Sequence, residues 1–173
     1  DWVFDASTSQ RAVYEAIGQE RVDWVLDGYN STIIAYGQTG SGKTHTMFGP
    51  PGNYDSEPGI IPLACTDLFD GLASRSEGEL ALSTFIVKAS YMEVYNDRIN
   101  DLLGGRKNVP LRETKDGLFV EGLESKRVST TDEVLDTIAD GDARHGYIDI
   151  SVRLRAGRDL PTRKRATQAI FAA

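Results

Sequence analysis

The sequence predicts an α/β domain in three layers, with a central, mostly parallel sheet. Three observations carry that expectation. Segments of helical period alternate along the chain with segments of strand character. The run Thr32-Ile33-Ile34-Ala35-Tyr36 is apolar without polar alternation, as in a strand buried on both faces. It leads directly into a glycine-rich turn, Gly37 to Gly42, with a helix expected after it.

The elements follow in chain order. Ser9 to Gly28 reads as helix in two pieces broken near Gly18, with Val13, Ile17, Val22, Val25 and Leu26 as its apolar stripe. Gly28 is placed to end it. After the buried-type strand and the glycine turn, a helix is expected from about Gly42 to Phe48. Two glycine-proline clusters, Gly49-Pro50-Pro51-Gly52 and Pro58-Gly59, break any period and mark a loop. Ile60, Ile61, Ala64, Leu68 and Leu72 then fall at helical spacing. Thr84 to Val94 reads as one long strand and Tyr95-Asn96-Asp97 as a turn. Ile99, Leu102 and Leu103 mark a short element. Val109 to Arg112 and Leu118 to Val120 read as two strands around the turn Lys115-Asp116-Gly117. Thr130 followed three residues later by Glu133 is a capping box; Val134, Leu135 and Ile138 give that helix its apolar face, and Gly141 is placed to end it.

Length bounds the rest: 173 residues at 19.0 kDa is one ordinary domain. With 40% hydrophobic and 26% charged residues the composition is that of a soluble globular chain, which excludes collagen, a disordered tail and a membrane channel. No apolar run approaches the length of a spanning helix, so no membrane partner is expected. The opening Asp1-Trp2-Val3-Phe4-Asp5 has neither a basic start nor an apolar stretch of the signal-peptide kind, and without an initiator Met the chain is expected to continue upstream. The single cysteine, Cys65, has no internal disulfide partner and reads as a small buried apolar residue of an intracellular protein.

The net charge of -7 is unevenly spread. Through Ala143 the chain carries 12 Lys and Arg against 24 Asp and Glu; from Arg144 onward the balance is 7 against 2. Arg153, Arg155, Arg158, Arg163, Lys164 and Arg165 form the basic run. A basic end can bind nucleic acid or an acidic polymer surface, or be a solvated, poorly ordered terminus. No zinc-finger spacing or RNA-binding signature accompanies it, so nucleic acid is not the expected partner.

Chemistry concentrates in Gly37-Gln38-Thr39-Gly40-Ser41-Gly42-Lys43-Thr44, which satisfies G-x-x-x-x-G-K-[ST] at every fixed position. Glycines let the backbone curl so that successive N–H groups point inward at phosphate oxygens. The helix that follows aims its unpaired N–H groups at the same anion. Lys43 can reach the β- and γ-phosphates, and the Thr44 hydroxyl can ligate Mg2+. The fold expectation thereby narrows to the P-loop NTPase type. Hydrolysis also needs a water-orienting group and a metal-shell carboxylate. Ile148-Asp149-Ile150 is the nearest imitation of the latter, too short to assign. Glu93, Asp97 and Asp101 read as solvated-face or turn acids. No catalytic residue is assigned.

From Gly28 through the P-loop to His45-Thr46-Met47 the sequence resembles the nucleotide-binding segment of kinesin motor domains. Val3-Phe4-Asp5 with Ser9-Gln10 and Val13-Tyr14, Gly59-Ile60-Ile61-Pro62, Ser90 to Asp97 with Asp101-Leu102-Leu103, and Leu111-Arg112-Glu113 through Val120-Glu121-Gly122-Leu123 resemble the same family in the same order. The resemblance runs from about Trp2 to about Arg144. It implies that residues 37–44 cradle ATP, with Thr44 on Mg2+ and His45 against the adenine. Without the resemblance, His45 reads as a helix-surface residue. It further implies that Pro50 to Pro58 is the family's variable insertion, and that Arg112, Lys115, Lys126 and Arg127 face the acidic microtubule. The longer parent is expected to be a cytoplasmic, cytoskeletal motor with a coiled coil, and is a candidate dimer.

The departures from the family are equally specific. The basic-proline segment that precedes the first matched strand in kinesins is missing. The Asn-x-x-Ser-Ser-Arg-Ser-His stretch that senses the γ-phosphate is absent; Arg165 to Phe171 sits near its place without its serines or histidine. The Asp-Leu-Ala-Gly-Ser-Glu stretch is absent too. Residues 1–144 are therefore read as a partial motor domain and 145–173 as a basic, divergent tail. Two functions follow for test: an ATP-driven microtubule motor in the parent, and a non-motile nucleotide-binding fragment in this chain. Thr32 to Tyr36 is expected to lack sheet partners on both edges, leaving the chain marginally stable, unless the tail supplies a strand.

Overall fold

Helix formation starts where the caps place it. Ser9 Oγ accepts from the Ala12 N–H at 3.2 Å and opens α1 (Gln10–Ile17). Gly18 separates it from α2 (Gln19–Leu26), the division expected from the sequence. A Cβ on Gly18 would lie 2.4 Å from the Tyr14 ring, so the break needs glycine. The computed structural model describes residues 1–50, 56–75, 84–115, 117–140, 147–155 and 166–172. In these, β1 (Ser31–Ile34) leads through the glycine turn to α3 (Lys43–Phe48), and α4 (Ile60–Ser74) follows. The long strand β2 (Thr84–Tyr95) turns at Asn96 and Asp97, whose φ values of 50° and 59° are both left-handed. Two such residues make the tight turn that matches strand twist, and β3 (Arg98–Asp101) returns antiparallel.

Next come β4 (Arg106–Val109), the hairpin β5 (Leu111–Thr114) and β6 (Gly117–Val120), and the short β7 (Lys126–Val128). Helix α5 (Thr131–Asp140) opens on the expected box: Thr130 Oγ1 accepts from the Glu133 N–H at 3.2 Å. The Glu133 carboxylate reaches back to the Ser129 N–H, 2.6 Å away, one residue before the cap. The expected stop at Gly141 lies outside the described residues, as do Asp116 in the β5–β6 turn and Arg158, Arg163, Lys164 and Arg165 of the basic run.

Two strands lie in the segment expected as a tail: β8 (Tyr147–Arg155) and β9 (Ala166–Ala172). The main sheet runs β1-β9-β8-β2-β3-β4. β8 pairs with β2 from Thr84 to Met92; the other edge of β2 is shared by β7 and β3. The α/β class is as expected, but the sheet is mixed rather than mostly parallel. Among the described pairs only β1–β9 is parallel. For β2 and β3 the reason is local: a two-residue turn such as that at Asn96-Asp97 can join only antiparallel strands.

β1 gains the tail-supplied neighbour that the expectation allowed for, and departs from expectation in its burial. β9 lies parallel to it from Ser31↔Ala169 to Ile34↔Ala172, so one edge is paired by the tail. And burial alternates along β1, so only one of its faces is covered. Ser31 is buried and Ile33 half-buried, but Thr32 is exposed and Ile34 is 69% exposed.

The core forms where α4 packs against α1, α2, α3 and α5, in one apolar cluster with residues of β2. α4 buries Ile60, Ile61, Leu63, Ala64, Cys65, Leu68 and Leu72; facing them are Tyr14, Val25, Leu26, Met47, Val87 and Tyr91. A few polar ties fix this packing. Tyr14 Oη donates to Asp67 Oδ2 at 2.6 Å. Arg75 at the end of α4 donates to the Leu26 carbonyl and pairs with Asp27 at 2.7 Å, closing the C-terminus of α2. Among the described residues no helix is long and apolar enough to cross a membrane.

Candidate functional site

The site is a loop between two anchored elements. β1 delivers the chain to Gly37, and α3 carries it away with Met47 fully buried in the core. Between them, Gly40 (φ 82°) and Gly42 (φ 91°) adopt left-handed backbone with open space where a Cβ would stand. This is the conformation that turns successive N–H groups toward a common point. The Ser41 N–H donates to the Gln38 carbonyl at 3.1 Å, and the Thr46 N–H closes the first helical turn on the Gly42 carbonyl at 2.9 Å. Gly37 is held for a different reason: a Cβ there would lie 2.4 Å from Ser41 Oγ.

The loop encloses a concavity of ≈ 390 Å³ lined by Thr39, Gly40, Gly42, Lys43 and Thr44. Lys43 Nζ donates to the carbonyls of Gly37 and Gln38 at 2.9 and 3.1 Å. Its ammonium thus bridges the start of the loop and is held at the concavity. Open left-handed glycines, an ammonium and a hydroxyl residue suit a phosphate chain with its magnesium, so the residues present fit the expected group. Among the described residues no cluster of His, Cys, Asp or Glu suits a metal ion by itself.

Of the residues singled out in the sequence, Thr39, Gly40, Gly42, Lys43 and Thr44 converge on the concavity. Gly37 and Gln38 hold Lys43, and Ser41 packs on Gly37. His45 is exposed and meets Gln10, whose amide donates to the His45 carbonyl and lies 3.4 Å from Nδ1. Gln10 escaped sequence reasoning as a site residue, because 35 positions separate it from His45 and only the packed helices bring them together.

A pair of glycines seats the loop from behind. Gly49 (φ 104°) and Gly59 approach backbone to backbone: a Cβ on Gly59 would stand 2.6 Å from Gly49 N and from the Met47 carbonyl group, and one on Gly49 would stand 2.5 Å from the Glu57 carbonyl oxygen. The Gly59 N–H donates to the Phe48 carbonyl at 3.1 Å. This clasp fixes the end of α3 to the start of α4. The expected insertion Pro50 to Pro58 lies between the two glycines, with residues 51–55 outside the described ones.

The acids resolve differently from expectation in one case. Glu93 accepts from the Asn100 side chain at 3.0 Å, and Asp97 sits in the β2–β3 turn. Asp101, expected as a solvated or turn acid, is 1% exposed. Its carboxylate accepts from the N–H groups of Leu103, Gly104 and Glu124 and from Arg106 at 2.9–3.2 Å. Four donors replace the water it has lost. Arg112, Lys115, Lys126 and Arg127 are all exposed, on β5, at its end and on β7; Arg112 pairs with Glu121 at 2.8 Å.

Comparison with known proteins agrees with this geometry. The kinesin motor domain family model matches residues 1–154. The chain is 45% identical over 144 residues to human (Homo sapiens) Kinesin-1 heavy chain, which covers 82% of this chain and 14% of that one. It is 40% identical over 151 residues to Kinesin-like protein Klp98A of Drosophila melanogaster, covering 83% and 11%. It is 36% identical over 160 residues to Kinesin-like protein KIN-7L of Oryza sativa subsp. japonica, covering 91% and 24%. The chain thus spans a quarter or less of these curated relatives. A solved structure of a fast kinesin superposes with a TM-score of 0.85 at 30% identity, over 99% of this chain and 51% of that one.

Proposed function

The chain belongs to the kinesin motor domain family, and on that premise we propose that its residues 37–45 bind ATP with Mg2+ for a microtubule motor. The observation that carries this reading is the concavity itself, with left-handed Gly40 and Gly42 beside the ammonium of Lys43. Gly37 to Lys43 would surround the phosphates, Thr44 would hold the magnesium, and His45 would border the adenine. When bound, Mg2+ would supply positive charge that offsets the charge of the phosphates. Lys43 would leave the Gly37 and Gln38 carbonyls for phosphate. In the longer parent, movement along microtubules in the cytoplasm and cytoskeleton follows from the family, with Arg112, Lys115, Lys126 and Arg127 as candidate contacts to acidic tubulin and a dimer as the working assembly. Lys43→Ala should weaken Mg-ATP binding by about a hundredfold, the loss of a charge-assisted contact. Unchanged affinity in equilibrium dialysis would defeat the reading.

A second reading concerns the 173-residue chain by itself: it binds nucleotide without producing movement. It is favoured by the absence from this sequence of both the serine-rich γ-phosphate stretch and the Asp-Leu-Ala-Gly-Ser-Glu stretch. Microtubule co-sedimentation combined with ATP turnover separates the two. Microtubule-stimulated hydrolysis by this chain would refute the second.

A further inference from the structure

We propose that Gln10 is a positioning residue for the base side of the nucleotide site, holding the His45 imidazole in one tautomer. This rests on the reading of residues 37–45 as a nucleotide site. Gln10 begins α1, and its side-chain amide crosses to the last turn of α3. There it donates to the His45 carbonyl, which also accepts the Gly49 N–H at 2.8 Å. An acceptor faces the Gln10 amide, so its NH2 group and not its oxygen must point this way. The same NH2 lies 3.4 Å from His45 Nδ1. With two N–H groups on one nitrogen, the amide can serve the carbonyl with one and face Nδ1 with the other. A donor opposite Nδ1 leaves that nitrogen the acceptor, so the ring proton sits on Nε2.

The consequence is directional. His45 is exposed next to Thr44, which lines the concavity, and its backbone and ring are fixed together by a residue from a separate helix. A purine ring set against His45 would meet an imidazole of fixed orientation, with an N–H on its outward edge. Such a group can hydrogen-bond an acceptor on the base or ribose. Gln10 itself need touch no ligand; it acts through His45.

The test uses the full chain with 15N-labelled histidine. His45 and His145 are its two histidines, so the variant His145→Gln assigns the spectrum. In the wild-type chain, His45 should show Nδ1 as the unprotonated nitrogen and Nε2 as the protonated one. Gln10→Met, of similar length and without a donor, should mix the tautomers. It should weaken Mg-ATP about tenfold, the effect of one positioned hydrogen bond, and leave Mg-tripolyphosphate unchanged. In a His45→Ala background the same substitution should cost nothing further. Equal losses for ATP and tripolyphosphate, or the same loss with His45 removed, would overturn the proposal. So would a tautomer that does not respond to Gln10→Met. A wild-type chain that binds neither probe would sink the nucleotide reading instead, and the tautomer signal would still report on Gln10.

Discussion

Asp101 and Cys65 carry sharp consequences at the scale of single residues. The Asp101 carboxylate gathers three backbone N–H groups and Arg106 from β4, and so joins the β3–β4 hairpin to the segment after β6. Asp101→Ala strands those N–H groups in a buried place and should lower stability by about 3 kcal/mol, measured by urea denaturation. Nothing in the local sequence Ile99-Asn100-Asp101 distinguishes this acid from the exposed Asp97 four residues before it. Three of its four donors are local, from Leu103, Gly104 and Arg106, but the Glu124 N–H, 23 positions away, reaches it only in the folded chain. Three buried groups set a pH limit. Burial pushes the Cys65 thiol up to about 12 from its ordinary 9.0, and burial together with the Glu93 charge pushes Tyr91 up to about 12 from 10.0. Tyr14 moves the same way, through burial and its hydrogen bond to Asp67. Raised values mean that the folded chain keeps protons the unfolded chain loses. Their stabilisation is therefore complete below about pH 9 and falls as pH rises from 9 toward 12. The urea midpoint should stay level from pH 7 to 9 with respect to these groups and drop above it; a level midpoint to pH 11 would contradict the burial of all three.

At the scale of elements, what was legible had a local cause. The split at Gly18, the cap at Thr130, the long β2 and the strand–glycine–helix unit all depend on residues within a few positions of one another. β7 depends on pairing: Lys126-Arg127-Val128 carries no strand period of its own and is a strand because β2 offers an edge at Val87 to Ala89. β8 is a different case. Ile148, Ile150, Val152 and Leu154 alternate with polar residues, a period-two signal that the basic composition of the segment obscured. The seat of the P-loop helix is the element most open to test. Gly59 has an ordinary φ of -78°, so backbone strain does not require glycine there; the backbone of Met47 and Gly49 does. Gly59→Ala should cost about 2–3 kcal/mol, because backbone atoms on both sides cannot give way as a side chain could. It should also weaken Mg-ATP binding, since α3 would be pushed from α4; calorimetry on the variant reads both effects.

For the whole molecule the decisive fact is that β9 supplies the parallel neighbour of β1, the strand that feeds the phosphate loop. The sequence leaves this strand bare on both edges unless the tail supplies a partner, and β9 is that partner. A chain ending at Arg155 would strip β1 of its pairing along Ser31 to Ile34 and should lose about 2–4 kcal/mol. Thermal melting of the shortened chain should fall accordingly, whereas an unchanged melt would mean that β9 carries no weight. The clasp of Gly49 and Gly59 has its own outcome for how the molecule can be handled. Because entry and exit backbones already touch, chain added between them closes no new gap. Its cost grows only with the logarithm of its length, about 0.6 kcal/mol per doubling. A fluorescent peptide cassette spliced into that arc would ride beside the glycine loop as a built-in reporter, while the scaffold beneath kept its shape.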